Sequence, residues 1–312
     1  MDSLNRMAIE LADEALDFAE ELNVDAVELD NGATVIDFGI DAPGGIEAGL
    51  LMAELQTAGL ATVQTRMDEV AGAPIPHVEL ATDRPGLALL GSQKAGWEVS
   101  VGEFEALGSG PARALVAEED EFRALEYTDA FDLSVLTLEA DRLPTERVAA
   151  EIADRAGVDT GGLFLPTFPA ASLVGSVSIA SRAAELALFR LFELGYDPTD
   201  VRTASGTAPV APVAADEGMA LARTNDAIAY AGDVHLTVDR DDESAFRDLP
   251  STATERYGTP FAEIFDDVGW DVREVDPGVF APARVTVDVI GGPTYALGDQ
   301  NESLVAESFE LG

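Results

Sequence analysis

Cysteine is absent from the 312 residues. Disulfides, thiolate nucleophiles and Cys-ligated zinc are therefore excluded. Lysine is almost absent as well, since Lys94 is the only lysine among the 18 basic residues. The two histidines, His77 and His235, stand alone on strand-like patterns. A zinc site takes three or four suitably spaced ligands, so both read as strand-face residues and no metal is expected. No Gly-x-Ser-x-Gly elbow supports a Ser-His-Asp triad. No Gly-Lys-Ser/Thr completes a Walker loop. The cluster Asp239, Asp241, Asp242 and Glu243 lacks the glycine and spacing of an EF-hand and reads as solvated surface. No apolar run reaches transmembrane length. Met1–Arg6 lacks the charged and apolar regions of a signal peptide, so a cytoplasmic location is expected.

Positive charge is the other scarcity. Against 59 acidic residues there are 18 basic ones, a net charge of −41. The acids are dispersed rather than gathered in a tail, which suits a protein living in concentrated salt, where self-repulsion is screened. The acidity excludes nucleic acid, which needs a basic footprint, and disfavours an anionic membrane surface. With hydrophobic residues at 47% and charged residues at 25%, the composition is that of a globular protein. Its length predicts two domains, with a boundary between Ala130 and Pro144, giving 1–140 and 141–312.

Periodicity predicts helices over 3–22, 46–60, 144–156, 178–194, 217–231, 261–268 and 300–309. Strands are predicted over 61–70, 75–82, 98–104, 133–138, 163–168, 201–204 and 234–238. A terminal hairpin is expected around Gly291-Gly292, with the possibility that it returns to the first domain. Asn31-Gly32, between two apolar runs, predicts a hairpin with a type I′ turn. Residues 87–94 read as a short helix or turn, and Gly195 as a helix terminator. Hairpins mixed with helices, without β-α-β-α alternation, favour an α+β fold over a doubly wound sheet.

Four segments combine Gly, Ser and basic residues. Leu90–Trp97 holds Lys94, whose retention in an Arg-based chain suggests a chemical need for a compact charge, against the plain alternative of a chance surface lysine. Gly108-Ser109-Gly110-Pro111-Ala112-Arg113 offers free N–H groups and a cation at a helix start; as a bare pattern it is an ordinary loop. In Gly175–Glu185, which includes Ser176, Arg182 and Glu185 lie three apart and share a helix face; spacing alone makes them a surface ion pair worth a few tenths of a kcal/mol. Gly206–Pro212 reads as a rigid loop, and Arg223, Asn225 and Asp226 as groups able to read a polar ring edge, or simply as a capped connection.

Taken in order, eight segments resemble the methenyltetrahydromethanopterin cyclohydrolase family. They are 31–37, 47–50, Leu90–Trp97, Gly108–Leu115, Val174–Arg182, Gly206–Pro212, Arg223–Ile228 and 280–283. The runs Gly-Ser-Gln-Lys-Ala-Gly-Trp and Gly-Ser-Gly-Pro-Ala-Arg-Ala make the resemblance specific. The sequence departs from the family in its acidity, in the loop after Val238 and around Gly291-Gly292-Pro293. The resemblance implies two mixed α+β domains with the active-site pocket between them, a homotrimer, and neither metal nor bound cofactor. It implies reversible hydrolysis of the methenyl carrier to its 5-formyl form. Arg182 and Glu185 would be catalytic, and Lys94, Arg113, Ser109, Ser176, Arg223, Asn225 and Asp226 would bind substrate. The alternatives are the same chemistry on methenyl-tetrahydrofolate, a non-catalytic pterin-binding protein, and a phosphate-ligand enzyme using Gly108–Arg113, which no metal-ligand spacing supports.

Overall fold

The computed structural model describes residues 3–271 and 274–312. Its strands are β1 (Asp25–Glu28), β2 (Thr34–Asp37), β3 (Thr62–Val70), β4 (Ala73–Thr82), β5 (Trp97–Val101), β6 (Phe104–Ser109), β7 (Ser134–Val135) and β8 (Thr137–Glu139). They continue as β9 (Leu163–Phe168), β10 (Val201–Pro209), β11 (Asp233–Val238), β12 (Arg284–Val289) and β13 (Thr294–Gly298). One sheet has the order β1-β2-β9-β8-β6-β5 with β7 against β9, and the other β13-β12-β11-β10-β4-β3. Both mix parallel and antiparallel neighbours, as in β2/β9 and β5/β6 of one and β11/β12 and β10/β11 of the other. With helices on their faces, the fold is α+β.

The chain divides into two compact units, Met1–Thr62 with Gly86–Ser178, and Val63–Pro85 with Ile179–Gly312. The units are therefore not the consecutive halves 1–140 and 141–312. Strand β9 completes the first sheet, and the β3–β4 hairpin is lent to the second. Such long-range pairings leave no trace in local hydrophobic pattern. The terminal hairpin pairs through β12 with β11 and stays in the second unit.

In the first unit, neighbouring strand residues serve opposite faces, as the pleat requires. Ile36 packs with Leu4, Ala8, Ala12, Met52, Leu55 and Phe168 beneath the helices Leu4–Asp17 and Ile46–Gln56. Val35, one residue away, packs with Leu136, Leu138, Leu163 and Leu165 against the helix Glu146–Ala156. Ser3 caps the first of these helices by accepting the Arg6 N–H. Asp37 ends β2 by accepting four backbone N–H groups, from Gly39, Ile40, Asp41 and Ala42, at 2.7–2.9 Å. Beyond that loop, Gly49 lets the Ile46–Gln56 helix meet the Leu173–Ala180 helix, because a Cβ there would lie 2.6 Å from the Val177 Cβ.

Several local expectations change. The Asn31-Gly32 hairpin forms, with Glu28 opposite Thr34. Its turn is not type I′, which needs two positive φ angles: Gly32 alone is positive, at 89°, and the Gly32 N–H donates to the Leu29 carbonyl at 2.8 Å. Residues 98–104 are not one strand but the β5–β6 hairpin, turned at Gly102 with φ 70°. Residues 206–209 belong to β10 rather than to a rigid loop. The predicted helix 178–194 is two helices, Leu173–Ala180 and Ala183–Glu193, interrupted at Ser181-Arg182.

In the second unit, the helices Glu217–Ala231, Phe261–Asp267 and Glu302–Ser308 bury Ala222, Ala227, Tyr230, Phe261, Phe265 and Val305 together. Asp226 joins these helices. Only 2% exposed, it accepts the Phe261 N–H at 2.9 Å and the Ser308 hydroxyl at 2.6 Å. Burial pushes its carboxyl up to about 6, against the two hydrogen bonds that favour the ion. The folded pKa lies above the unfolded one, so the group's contribution is full below the unfolded value near 3.8 and is lost as pH rises through about 6. An Asn at this position can accept from Phe261 and donate to Ser308 without ever being charged. We therefore expect Asp226→Asn to raise stability at pH 7.5 by up to about 3 kcal/mol. The gain should shrink towards pH 4.5, as followed by thermal denaturation of both proteins at fixed potassium chloride concentration.

Candidate functional site

The interruption at Ser181-Arg182 sets the geometry of the second unit's candidate site. The Arg182 N–H reaches back to the Ile179 carbonyl at 3.0 Å, closing a tightened turn. The Arg182 carbonyl then accepts the Leu186 N–H at 2.9 Å and opens the next helix. Arg182 is the N-cap residue and Glu185 sits in the first turn, where a carboxylate is favoured by the helix dipole. Their side chains approach to 3.5 Å, with only 9% and 3% exposure. This is not a solvated surface pair. Ala183, Ala184 and Ala187 are fully buried, and Gly206 of β10 lies against them: a Cβ on Gly206 would be 2.7 Å from the Ala184 nitrogen. Small residues on both sides let the strand press on the helix start, where the pair is largely buried.

In the first unit, residues Gly86–Gln93 form a π-helix, the wide turn that is often found at functional sites. Lys94 follows, its N–H still bonded to the Leu89 carbonyl at 2.8 Å. A π-helix end presents carbonyls that need donors. Arg113 supplies them, from the short helix Ala112–Val116 that follows β6. It is fully buried, and its N–H groups reach the carbonyls of Leu90, Ser92 and Lys94 at 3.2, 3.2 and 2.8 Å. The remaining two N–H groups grip both carboxylate oxygens of Glu119, Nε at 2.9 Å. A guanidinium has five donors, and all five are used internally. Phe122 stacks under the same group, with its ring centroid 5.4 Å from Cζ. Arg113 thus caps and shapes the Leu90–Trp97 segment, with every one of its N–H donors engaged by the protein. Gly96 is required beside it, because a Cβ there would run into the Glu119 carboxylate and the Arg113 guanidinium.

The Lys94 ammonium meets Glu121 at 2.5 Å and Glu119 at 3.3 Å, and its side chain keeps 18% exposure. Burial pushes the Glu119 carboxyl up, but the hydrogen bonds and charges of Arg113 and Lys94 outweigh it and hold the group below the usual carboxylate range. Sequence reasoning missed Glu119 and Glu121. In a chain so acidic they looked like solvated background, and the one available signal was that the chain's lone lysine needs a counter-charge.

The other candidates are engaged locally. The Ser109 hydroxyl pairs with that of Thr137 at 2.9 Å inside the first sheet. Ser176 is buried within the Leu173–Ala180 helix, where its N–H donates to the Ser172 carbonyl. In the second unit, Arg223 pairs with Glu310 at 2.5 Å and Asn225 donates to the Leu221 carbonyl at 2.8 Å. Asp226 accepts from the Phe261 N–H and the Ser308 hydroxyl at the helix junction.

The second unit also contains a polar cavity of about 280 Å³, lined among others by Arg66, His77, Thr207, Asp233 and Arg284. Thr207 follows Gly206 on β10, so it faces the side of the sheet away from the Ala183–Glu193 helix. The cavity's two arginines are paired, Arg284 with Asp233 at 2.6 Å and Arg66 with Asp68, both in the lining, and Arg66 also with Glu79 outside it at 2.5 Å. His77 turns Nδ1 to the Ile75 carbonyl at 3.0 Å, and burial keeps its ring pKa low. Among the described residues no three His, Cys, Asp or Glu side chains are grouped to hold a metal ion.

A family model described as cyclohydrolase (MCH) matches residues 3–309. A protein named methenyltetrahydromethanopterin cyclohydrolase in Halobacterium salinarum is 62% identical over 311 residues, covering 100% of each chain. Proteins of the same name in Methanospirillum hungatei and Methanocaldococcus jannaschii are 40% and 38% identical. The first match covers 99% of both chains, the second 99% of this chain and 98% of the relative. With the model and these relatives matched along nearly the whole length, the chain belongs to the cyclohydrolase (MCH) family.

Proposed function

We propose that the chain catalyses the reversible hydrolysis of methenyltetrahydromethanopterin to its 5-formyl form, with Glu185 as the proton carrier and Arg182 as the group that holds it. The observation that carries the assignment of residues is the buried pair itself, 3.5 Å apart at the start of a helix. The substrate is taken from the name borne by the full-length relatives.

The methenyl carbon lies between two nitrogens and shares their positive charge, so it is already electrophilic. What it lacks is a positioned water and somewhere for a proton to go. As the water oxygen bonds to the carbon, Glu185 takes one of the water protons. The bond from the carbon to the departing nitrogen then breaks, and Glu185 returns that proton to this nitrogen. The second water proton leaves as the carbonyl of the formyl group forms, so one proton is released per turnover. One carboxylate serves as base and then as acid. The fixed Arg182 charge keeps Glu185 oriented and lessens its tendency to form an inert ion pair with the cationic substrate. Positioning and electrostatics supply the rate enhancement.

Lys94 is the first-unit group we assign to substrate contact, with Arg113 as its scaffold. No metal or resident cofactor is required. From the family resemblance we also infer a homotrimer acting in the cytoplasm. Light scattering on the eluting protein in concentrated potassium chloride is expected to give three times the chain mass, and a monomer mass would overturn the assembly.

Glu185→Gln keeps the shape and removes the proton carrier. Turnover is expected to fall by about 10²–10⁴-fold with the melting temperature and the KM little changed. Near-normal turnover in this variant would reject Glu185 as the base.

A further inference from the structure

We propose that Glu119 is a positioning residue for the substrate contact made by Lys94, coupling the fully buried Arg113 to a flexible ammonium. This rests on the reading of Lys94 as a substrate-contacting group. A lysine side chain has four rotatable bonds and loses rotamer entropy when it is fixed. Here that ordering is completed when the protein folds. Glu121 stands 2.5 Å from the ammonium and Glu119 3.3 Å from it. Glu119 is itself immobile, because both its oxygens are held by Arg113. Arg113 in turn is fastened to the carbonyls of Leu90, Ser92 and Lys94, the same segment that carries the ammonium. Main chain and side-chain tip of Lys94 are thus referred to one buried guanidinium, and Glu119 is the link between them.

The charges explain what this link does. Two cations face two carboxylates, so the quartet is neutral, and its field falls off quickly. Lys94 therefore acts on a ligand at hydrogen-bond range, not as a distant attractor for anions. A contact of that kind depends on position to within a fraction of an ångström. Displacing the ammonium weakens binding while leaving the proton transfer at Glu185 alone. The expected signature is a change in KM without a matching change in kcat.

The test is a double-mutant cycle on the full-length protein, assayed with methenyltetrahydromethanopterin in concentrated potassium chloride. Lys94→Ala and Glu119→Gln are each expected to raise KM about tenfold, with kcat within about twofold of the parent. The double variant is expected to match Lys94→Ala alone, because Glu119 acts only through Lys94. A merely structural Glu119 would instead multiply the two effects, and that result overturns the proposal. Should Glu119→Gln fail to fold, Glu119→Asp keeps the charge and moves it by one methylene; the same cycle is then read with it, and multiplicative KM values again reject the link. An unchanged KM in Lys94→Ala also overturns the proposal but leaves the role of Glu185 standing. Absence of ring opening by the parent protein would instead strike the proposed function.

Discussion

Burying Arg182 beside Glu185, or Arg113 beside Glu119, removes ions from water at a cost that only close pairing and hydrogen bonding can offset. In this chain that constraint is unusually selective, because 59 acidic residues compete for 18 basic ones. Most carboxylates must therefore remain in water. The cations taken into the interior mark places where the fold commits scarce charge. Arg182 and Arg113 are both among them, at 8% and 0% exposure. One stands at a helix start beside a buried acid. The other closes the end of a π-helix. Around each, glycine permits close packing, Gly206 against Ala184 and Gly96 against the Arg113–Glu119 pair.

Much of the helical scaffold was legible in the sequence. The helix Glu217–Ala231 falls where apolar periodicity put it, and Asn31-Gly32 marks a real hairpin. What was not legible follows from what local pattern omits. The turn at Gly32 takes one positive φ because the loop spans Leu29–Ala33 rather than two residues. The break before Ala183 involves neither proline nor glycine, so an apolar run across 178–194 reads as one helix. The unit boundary is discontinuous because β9 and the β3–β4 hairpin are placed by pairing with strands far away in the chain.

The candidate site divides along the same line. The family resemblance singled out Arg182 and Glu185, where spacing alone read as a surface pair, and rarity singled out Lys94; the structure makes a buried pair of the first two. Spacing cannot count donors, however, and only the structure shows that all five N–H groups of Arg113 go to protein acceptors. Glu119 and Glu121 were hidden by abundance: among so many acids, only geometry distinguishes the two that hold a lysine. Nor does spacing show that Asp226 accepts hydrogen bonds from Phe261 and Ser308, residues of two other helices far along the chain.

The central claim is that the chain opens a methenyl ring with water. The most direct measurement is loss of the methenyl absorbance when purified, folded protein is added to methenyltetrahydromethanopterin in concentrated potassium chloride, with methenyl-tetrahydrofolate run in parallel. The account predicts accelerated loss with the methanopterin substrate, in proportion to the protein added. A rate no greater than that of the protein-free solution would contradict it, and acceleration confined to the folate compound would keep the chemistry while replacing the substrate.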